Sequence, residues 1–306
     1  MKIRGEWVEF PVSLSGESLH LNEFLQKEIG ASKANISEWR NTHSIKVNEE
    51  VISNQNPLVT NGDSVLLHVF REEEDEIVPE YRELAILFED EHLIVLNKPE
   101  GMSTHPNKAQ ETGTLANALA SHYQVSGQNS KVRQIHRLDK DTSGAIVFAK
   151  HALAQTLLDK ALQDDQIKRT YVAVAEGRLH RKKGTIKEPI GRDRHHAVRR
   201  RVSESGQPAV THYQVLQYLR EQRLSIVKLQ LETGRTHQIR VHLSSVGNPI
   251  AGDELYGGNP EIFSRQALHA AKVFIKHPLT GEALNIRAPF PEEFNRFMKY
   301  VDEEEI

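Results

Sequence analysis

The chain of 306 residues contains no cysteine. That excludes disulfides, thiolate nucleophiles and cysteine-held metals, and it fits a reducing compartment. No apolar run approaches the ~20 residues that cross a bilayer. Glu6 and Glu9 break up MKIRGEWVEF where a secretory leader needs a continuous apolar stretch. The expectation is a cytoplasmic, monomeric protein with no membrane partner. Internal repeats and low-complexity tracts are missing too, so repeat architectures drop out. What remains, 38% hydrophobic and 26% charged residues, suits a soluble chain long enough for one large domain and a small one.

Carboxylates are scarce in one stretch only. Residues 131–250 hold 23 Lys and Arg against 11 Asp and Glu, and the rest of the chain holds 16 against 31, giving the formal net charge of -3. A polyanion responds to the local field of such a segment and not to the net charge. Nucleic acid is therefore a candidate partner of a chain that is acidic as a whole.

Residues 13–70 read as a small α+β unit. LHLNEFLQKEI places Leu21, Phe24, Leu25 and Ile29 at helical spacing, ASKANISEWR follows Gly30 as a second helix, and SIKVNEEVI and NGDSVLLHVF read as strands around turns. Residues 71–82, beginning REEEDEIVPEY, read as an acidic, solvated linker. From 83 to 300 strand patterns dominate, as in HLIVLNK, AIVFAK, TYVAVAEG and LSIVKLQLET, with helices expected at LANALASHY and HALAQTLLDKALQ. Many strands and few helices predict an α+β domain built on a mostly antiparallel mixed sheet. The tail VDEEEI reads as frayed.

Two constellations carry chemistry. HRLDKDTSGAIVFAK, residues 136–150, sets a polar loop with Asp139 directly before a buried strand. The Thr-Ser-Gly turn lets the chain reverse tightly, and a carboxylate held on such a loop is a candidate nucleophile or base. Asp141 competes for the role but reads as a turn residue. The second constellation, LETGRTHQIRVHLSSVGNPIAGDELYGG, residues 231–258, places Arg235, His237 and Arg240 beside apolar Ile239, Val241 and Leu243. Arg235, next to Gly234, can pair bidentately with a carboxylate and so orient Asp139. His237 and His242 are not spaced as a helical metal pair, no HExxH pattern occurs, and Gly257-Gly258 lacks the strand–GxGxxG–helix context. Neither a metal nor a nucleotide cofactor is expected. RDRHHAVRRR, residues 192–201, has five Arg and one Asp and reads either as a loop that grips a polyanion or as a mobile solvated loop. Lys98-Pro99 and His136 read as structural.

HRLDKDTSG and GRTHQIRVH, with VLNKPEG at 95–101 and KRTYVA at 168–173, occur in this order and together resemble the RluA-type family of RNA pseudouridine synthases. The resemblance runs from about 83 to 290. Residues 13–70 resemble the alpha-L RNA-binding module named from a ribosomal protein. The resemblance implies a pseudouridine synthase fold and isomerisation of uridine in ribosomal RNA, large-subunit RNA foremost, or in transfer RNA, with no cofactor. It implies catalytic roles for Asp139, for Tyr171, which would stack on the uracil, and for Arg235, which would pair with Asp139. Arg137 would enter the gap left by the target base, and Arg192, Arg194, Arg199, Arg200 and Arg201 would contact RNA. Two other readings stay open: an RNA-binding protein without catalysis, and an N-glycosylase releasing free uracil.

Overall fold

The structure is a computed structural model that describes the whole chain apart from Asn129 and the side chain of Glu303. Its N-terminal unit comprises β1 (Lys2–Arg4), β2 (Trp7–Pro11), β3 (Ser18–His20), α1 (Leu21–Lys27), α2 (Lys33–Asn41), β4 (Ile45–Val47), β5 (Glu50–Val51), β6 (Leu58–Thr60) and β7 (Ser64–His68). The sheet order is β1-β2-β7-β4-β5, and β3 pairs β6. The helical spacing read from the sequence buries Leu21, Phe24, Leu25, Ile36 and Trp39 against Val8, Ile45, Val65 and Leu67. Ser32 caps α2: its Oγ accepts the Asn35 N–H at 3.1 Å, and Asn35 Oδ1 accepts the Ser32 N–H at 3.1 Å. The unit begins earlier than residue 13. β2 pairs β7 with Val8 opposite Leu67, because the alternation in WVEFP turns Val8 into the core.

The acidic stretch 71–82 is not a free linker. Glu73 pairs with Arg133, Asp75 Oδ2 accepts the Val132 N–H at 2.6 Å, and Asn117 donates to the Val78 carbonyl at 2.8 Å. Its carboxylates strap it across the second unit. The two units also share a core face: Leu153 is buried in the N-terminal cluster, and Thr156 Oγ1 donates to Asn35 Oδ1 at 2.7 Å.

The second unit contains β8 (Ile86–Glu89), β9 (Leu93–Lys98), α3 (Leu115–Val125), β10 (Arg133–Gln134), β11 (Ser143–Ala149), α4 (Ala152–Gln163), β12 (Lys168–Glu176), β13 (Lys183–Ile186), β14 (Ile190–Arg192) and β15 (Arg200–Val202). It continues with β16 (Thr211–Leu219), β17 (Leu224–Leu231), α5 (Gln238–Ser245), β18 (Leu268–Lys276), β19 (Ala283–Arg287) and α6 (Glu292–Met298). The main sheet runs β13-β16-β17-β12-β18-β11-β9-β8, with β10 on β11 and β19 on β18; β14 and β15 form a separate hairpin. Every pairing in the main sheet is antiparallel except β11 with β18, so the α+β class with a mostly antiparallel mixed sheet holds.

Both faces of the central strands are covered. Ile94, Leu96, Ile146 and Phe148 face one cluster, and Leu93, Val95, Ala145 and Val147 face another under α4, which is why these strands read as continuous apolar runs. The parallel β11–β18 contact needs Gly144: its φ is +113°, and a Cβ there would lie 2.2 Å from the Ala270 oxygen. The C-terminal tail docks instead of fraying, with Ile306 in the main core.

Candidate active site

The loop ahead of β11 is held through four successive carbonyls. Thr104 Oγ1 donates to Leu138 O at 3.0 Å, the Thr142 N–H to Asp139 O at 3.0 Å, Lys98 Nζ to Lys140 O at 2.9 Å and Arg265 Nη1 to Asp141 O at 2.7 Å. Lys98 is fully buried, and its ammonium also donates to Pro99 O and Met102 O. Burial pulls its pKa down to about 7, against the pull of Asp141 and Asp139. Three carbonyl acceptors need three N–H groups, and only the charged form has them. His136, below the loop, accepts the Val147 N–H at 3.3 Å, and full burial pushes its pKa down to about 3. It is a neutral structural group.

Asp139, so fixed, meets Arg240. Nη1 of Arg240 donates to Asp139 Oδ2 at 3.1 Å. The other edge of the guanidinium is engaged by Asp253, with Nε to Oδ2 at 2.7 Å and Nη2 to Oδ1 at 2.8 Å. Burial works against the Arg240 charge, but the Asp253 bonds and charge, together with Asp139, outweigh it and raise its pKa above the ordinary arginine value. The Asp139 carboxylate thus has one oxygen tied, and Oδ1 has no hydrogen-bond partner among the described residues.

His237 is the third neighbour, with Nε2 at 4.0 Å from Asp139 Oδ2. It adopts a left-handed backbone, φ 58°, at the start of α5. Its Nδ1 lies 2.8 Å from Tyr256 Oη, and the same oxygen accepts the Arg200 N–H at 2.9 Å. In the tautomer in which the Tyr256 hydroxyl donates to Nδ1, the Nε2–H faces Asp139. Burial lowers the His237 pKa, with Asp139 opposing.

The expected Arg235–Asp139 pair does not form. Arg235 Nε donates to Pro208 O at 3.0 Å, and Gln238 Oε1 accepts its N–H at 3.0 Å. The reason is local. Gln238 caps the turn and opens helix α5, so Arg235 stays outside the helix, and helical rotation brings Arg240 inward beside Asp139. Asp139 and Arg137 line two cavities, one of about 480 Å³ with His237 and Arg240, and one of about 540 Å³ with Arg235. Exposed Arg137 thus stands between them at the mouth. Tyr171 lies in the core beside the loop, 4% exposed, and burial raises its pKa, reinforced by Asp139. Asp253 and Tyr256 carried no role in the sequence reading; the signal available was a charged and an aromatic residue inside a glycine-rich segment.

The basic segment folds as the β14–β15 hairpin. Arg192, Arg194, Arg199 and Arg201 are exposed and Arg200 half-buried. Arg192 lies directly opposite Arg200, Arg199 reaches within 5.7 Å of the Tyr256 ring centre, and Val198 lines the Asp139 cavity. No cluster of three or more His, Asp or Glu among the described residues is arranged to hold a metal ion.

Residues 92–245, which include the Asp139 loop, Tyr171 and Arg240, match the family model described as RNA pseudouridylate synthase. The chain belongs to that family. It is accordingly an RNA isomerase, a pseudouridine synthase. It is 50% identical over 299 residues to the uncharacterized RNA pseudouridine synthase YhcT of Bacillus subtilis, covering 98% of this chain and 99% of that one. It is 39% identical over 276 residues to the ribosomal large subunit pseudouridine synthase D of Vibrio parahaemolyticus, covering 86% and 84%. Among solved structures it is similar to human RNA pseudouridylate synthase domain containing 1, with a TM-score of 0.57 and 27% identity over 68% of this chain and 84% of that one.

Proposed function

We propose that this synthase isomerises a uridine of structured ribosomal RNA, of the large subunit, with Asp139 as the catalytic carboxylate. The observation that carries the reading is the Asp139 site itself: a carboxylate with one oxygen bound to Arg240 and the other free, on a loop held through four successive carbonyls. The substrate class is supported by the names of relatives such as the large-subunit synthases D of Vibrio parahaemolyticus and Haemophilus influenzae.

The isomerisation breaks the bond from the sugar to nitrogen one of uracil and makes one to carbon five. The proton on carbon five leaves and nitrogen one gains a proton, so no co-reactant is consumed. A uridine inside folded RNA must first leave the stack. Arg137, at the mouth, fills the gap; Tyr171 offers a plane for the uracil, worth about 1–3 kcal/mol. Asp139 acts at the ribose through its free oxygen, as nucleophile or as proton acceptor. Arg192 and Arg200 sit directly opposite each other in the hairpin, where like charges repel, so phosphate is their natural partner. The N-terminal unit adds RNA contacts in the same complex, and the enzyme works as a cytoplasmic monomer.

The test uses unmodified large-subunit ribosomal RNA carrying tritium at carbon five of uracil. The wild type should release tritium to water, and Asp139→Asn should release none while still binding the RNA. Free uracil in the supernatant would instead identify an N-glycosylase. An Asn variant with full turnover would remove Asp139 from its role.

A further inference from the structure

A group of cations that this site does not use lies at the other end of the main sheet. β12 begins beside Asp139, and the five steps from Tyr171 to Glu176 carry the chain about 17 Å away at ~3.3 Å per residue. There the crossing from β12 to β13 carries Arg178, Arg181, Lys182 and Lys183 with no carboxylate among residues 177–187. Two backbone bonds hold it in place: the Gly177 N–H donates to Arg223 O at 2.7 Å, and the Val215 N–H to Lys182 O at 2.7 Å. The first brings the β16–β17 turn alongside, with Arg220 and Arg223 on it.

A groove of about 890 Å³ runs between Arg178–Lys182 and Val215–Tyr218. The Arg178 guanidinium lies over the Tyr218 ring at 5.6 Å. All six cations are exposed, and none pairs with a carboxylate among the described residues. Glu176 is already engaged by the Asn259 N–H, which leaves Glu221 as the acidic residue in the turn. Cations gathered without counter-charges repel one another and favour an anionic partner.

We infer that this groove is a second RNA-contact site, which grips phosphates of the substrate about 17 Å or more from the target uridine. It rests on the RNA substrate proposed above and deepens it: the substrate must extend well beyond the nucleotide being modified. Two observations favour RNA over an anionic membrane. The site is a groove, which suits a chain of phosphates more than a plane. The chain outside residues 131–250 holds 16 basic against 31 acidic residues, which a broad anionic surface would meet as repulsion. The Arg178–Tyr218 pair adds a flat surface on which an unpaired base can stack.

The test compares Arg181→Glu/Lys182→Glu/Lys183→Glu with a charge-matched control, Lys160→Glu/Lys276→Glu/Lys299→Glu. The probes are fluorescein-labelled RNA hairpins with one loop sequence and stems of 6 or 24 base pairs. At about 150 mM KCl the groove variant should bind the long hairpin at least about tenfold more weakly, with a salt slope reduced by about 2–3 for three lost phosphate contacts. The short hairpin should change by less than about twofold for the groove variant, as should both hairpins for the control. The triple Ala variant should shift the long hairpin in the same direction by less, and circular dichroism melts check that all variants fold. Unchanged affinity for the long hairpin, or equal weakening of both, would overturn the inference. So would loss of binding to phosphatidylserine vesicles with RNA binding intact, which would assign the groove to a membrane. Tritium release is read in parallel: no release by the wild type with a length-dependent loss of binding sinks the proposed substrate and leaves the groove as an RNA site.

Discussion

Arg240 meets Asp139 at 3.1 Å while Asp253 holds the same guanidinium at 2.7 and 2.8 Å. One planar cation thereby fixes the orientation of the reactive carboxylate, and a second, buried carboxylate fixes the cation. A lysine retains the charge but cannot serve both partners in this fork geometry. Arg240→Lys should therefore lower kcat/KM about 100-fold or more, corresponding to roughly 3 kcal/mol. Arg235→Lys, which loses only a bond to a backbone carbonyl, should stay within about threefold. Tritium release by the two variants decides between the arginines, and a larger loss at Arg235 would contradict the assignment.

Tyr256 joins the basic hairpin to the site, because its oxygen serves both the Arg200 N–H and His237 Nδ1. Tyr256→Phe keeps the ring under Arg240, whose guanidinium lies 5.0 Å from it, and removes only that junction. The expected result is a kcat/KM lower by about 5- to 20-fold, the equivalent of one or two lost hydrogen bonds, with most of the loss in kcat. A change confined to KM would mean that the hairpin only binds RNA and does not orient His237.

The sequence revealed the loop more readily than its partners. HRLDKDTSG reads directly as a polar turn before a buried strand, since Asp139 and the turn residues are consecutive. The α+β class followed from apolar patterns that are local as well. The partner of Asp139 lies a hundred residues away, and its choice depends on the helical phase of GRTHQIRVH. Arg235 and Arg240 are equally plausible until Gln238 is seen to cap the turn and start α5. Asp253 was silent because its role is to hold another side chain. The acidic stretch 71–82 misled for a related reason: charge runs signal solvation, but here Glu73 and Asp75 find Arg133 and the Val132 N–H across the fold. The tail misled likewise, because a single apolar Ile306 outweighs the charges before it.

Lys98 anchors the catalytic loop from below through Lys140 O. Lys98→Met fills similar volume but leaves three buried carbonyls without their donor, at about 1–3 kcal/mol each. Relief from burying a charge offsets part of that. The net effect should be a loss of about 3 kcal/mol in urea unfolding, accompanied by a fall in kcat as the Asp139 loop loosens. A variant as stable and as active as the wild type would show that the loop needs no ammonium beneath it.

Acid should destabilise the fold well before the carboxylates protonate. Burial pushes the pKa values of His136 and His151 down to about 3 and that of His269 down to about 4. An unfolded histidine titrates near 6.5. Below that value the unfolded chain takes up protons that the folded chain refuses, so the stability from these groups is complete above pH ~6.5 and falls as the pH drops toward 4 and then 3. Each contributes a slope of roughly 1 kcal/mol per pH unit in that window. At Asp90 burial is the largest single effect and raises the pKa, but the bonds from His277 and the Leu93 and His92 N–H groups together outweigh it and lower the pKa, so its contribution is complete above the usual carboxylate value and is lost only below it. Thermal melts at steps from pH 7.5 to 4 should therefore decline from about pH 6.5. His136→Gln, whose amide oxygen can still accept the Val147 N–H, should reduce that slope by roughly 1 kcal/mol per pH unit. A melting temperature that stays level down to pH ~4.5 would show that these histidines take up protons in the folded state.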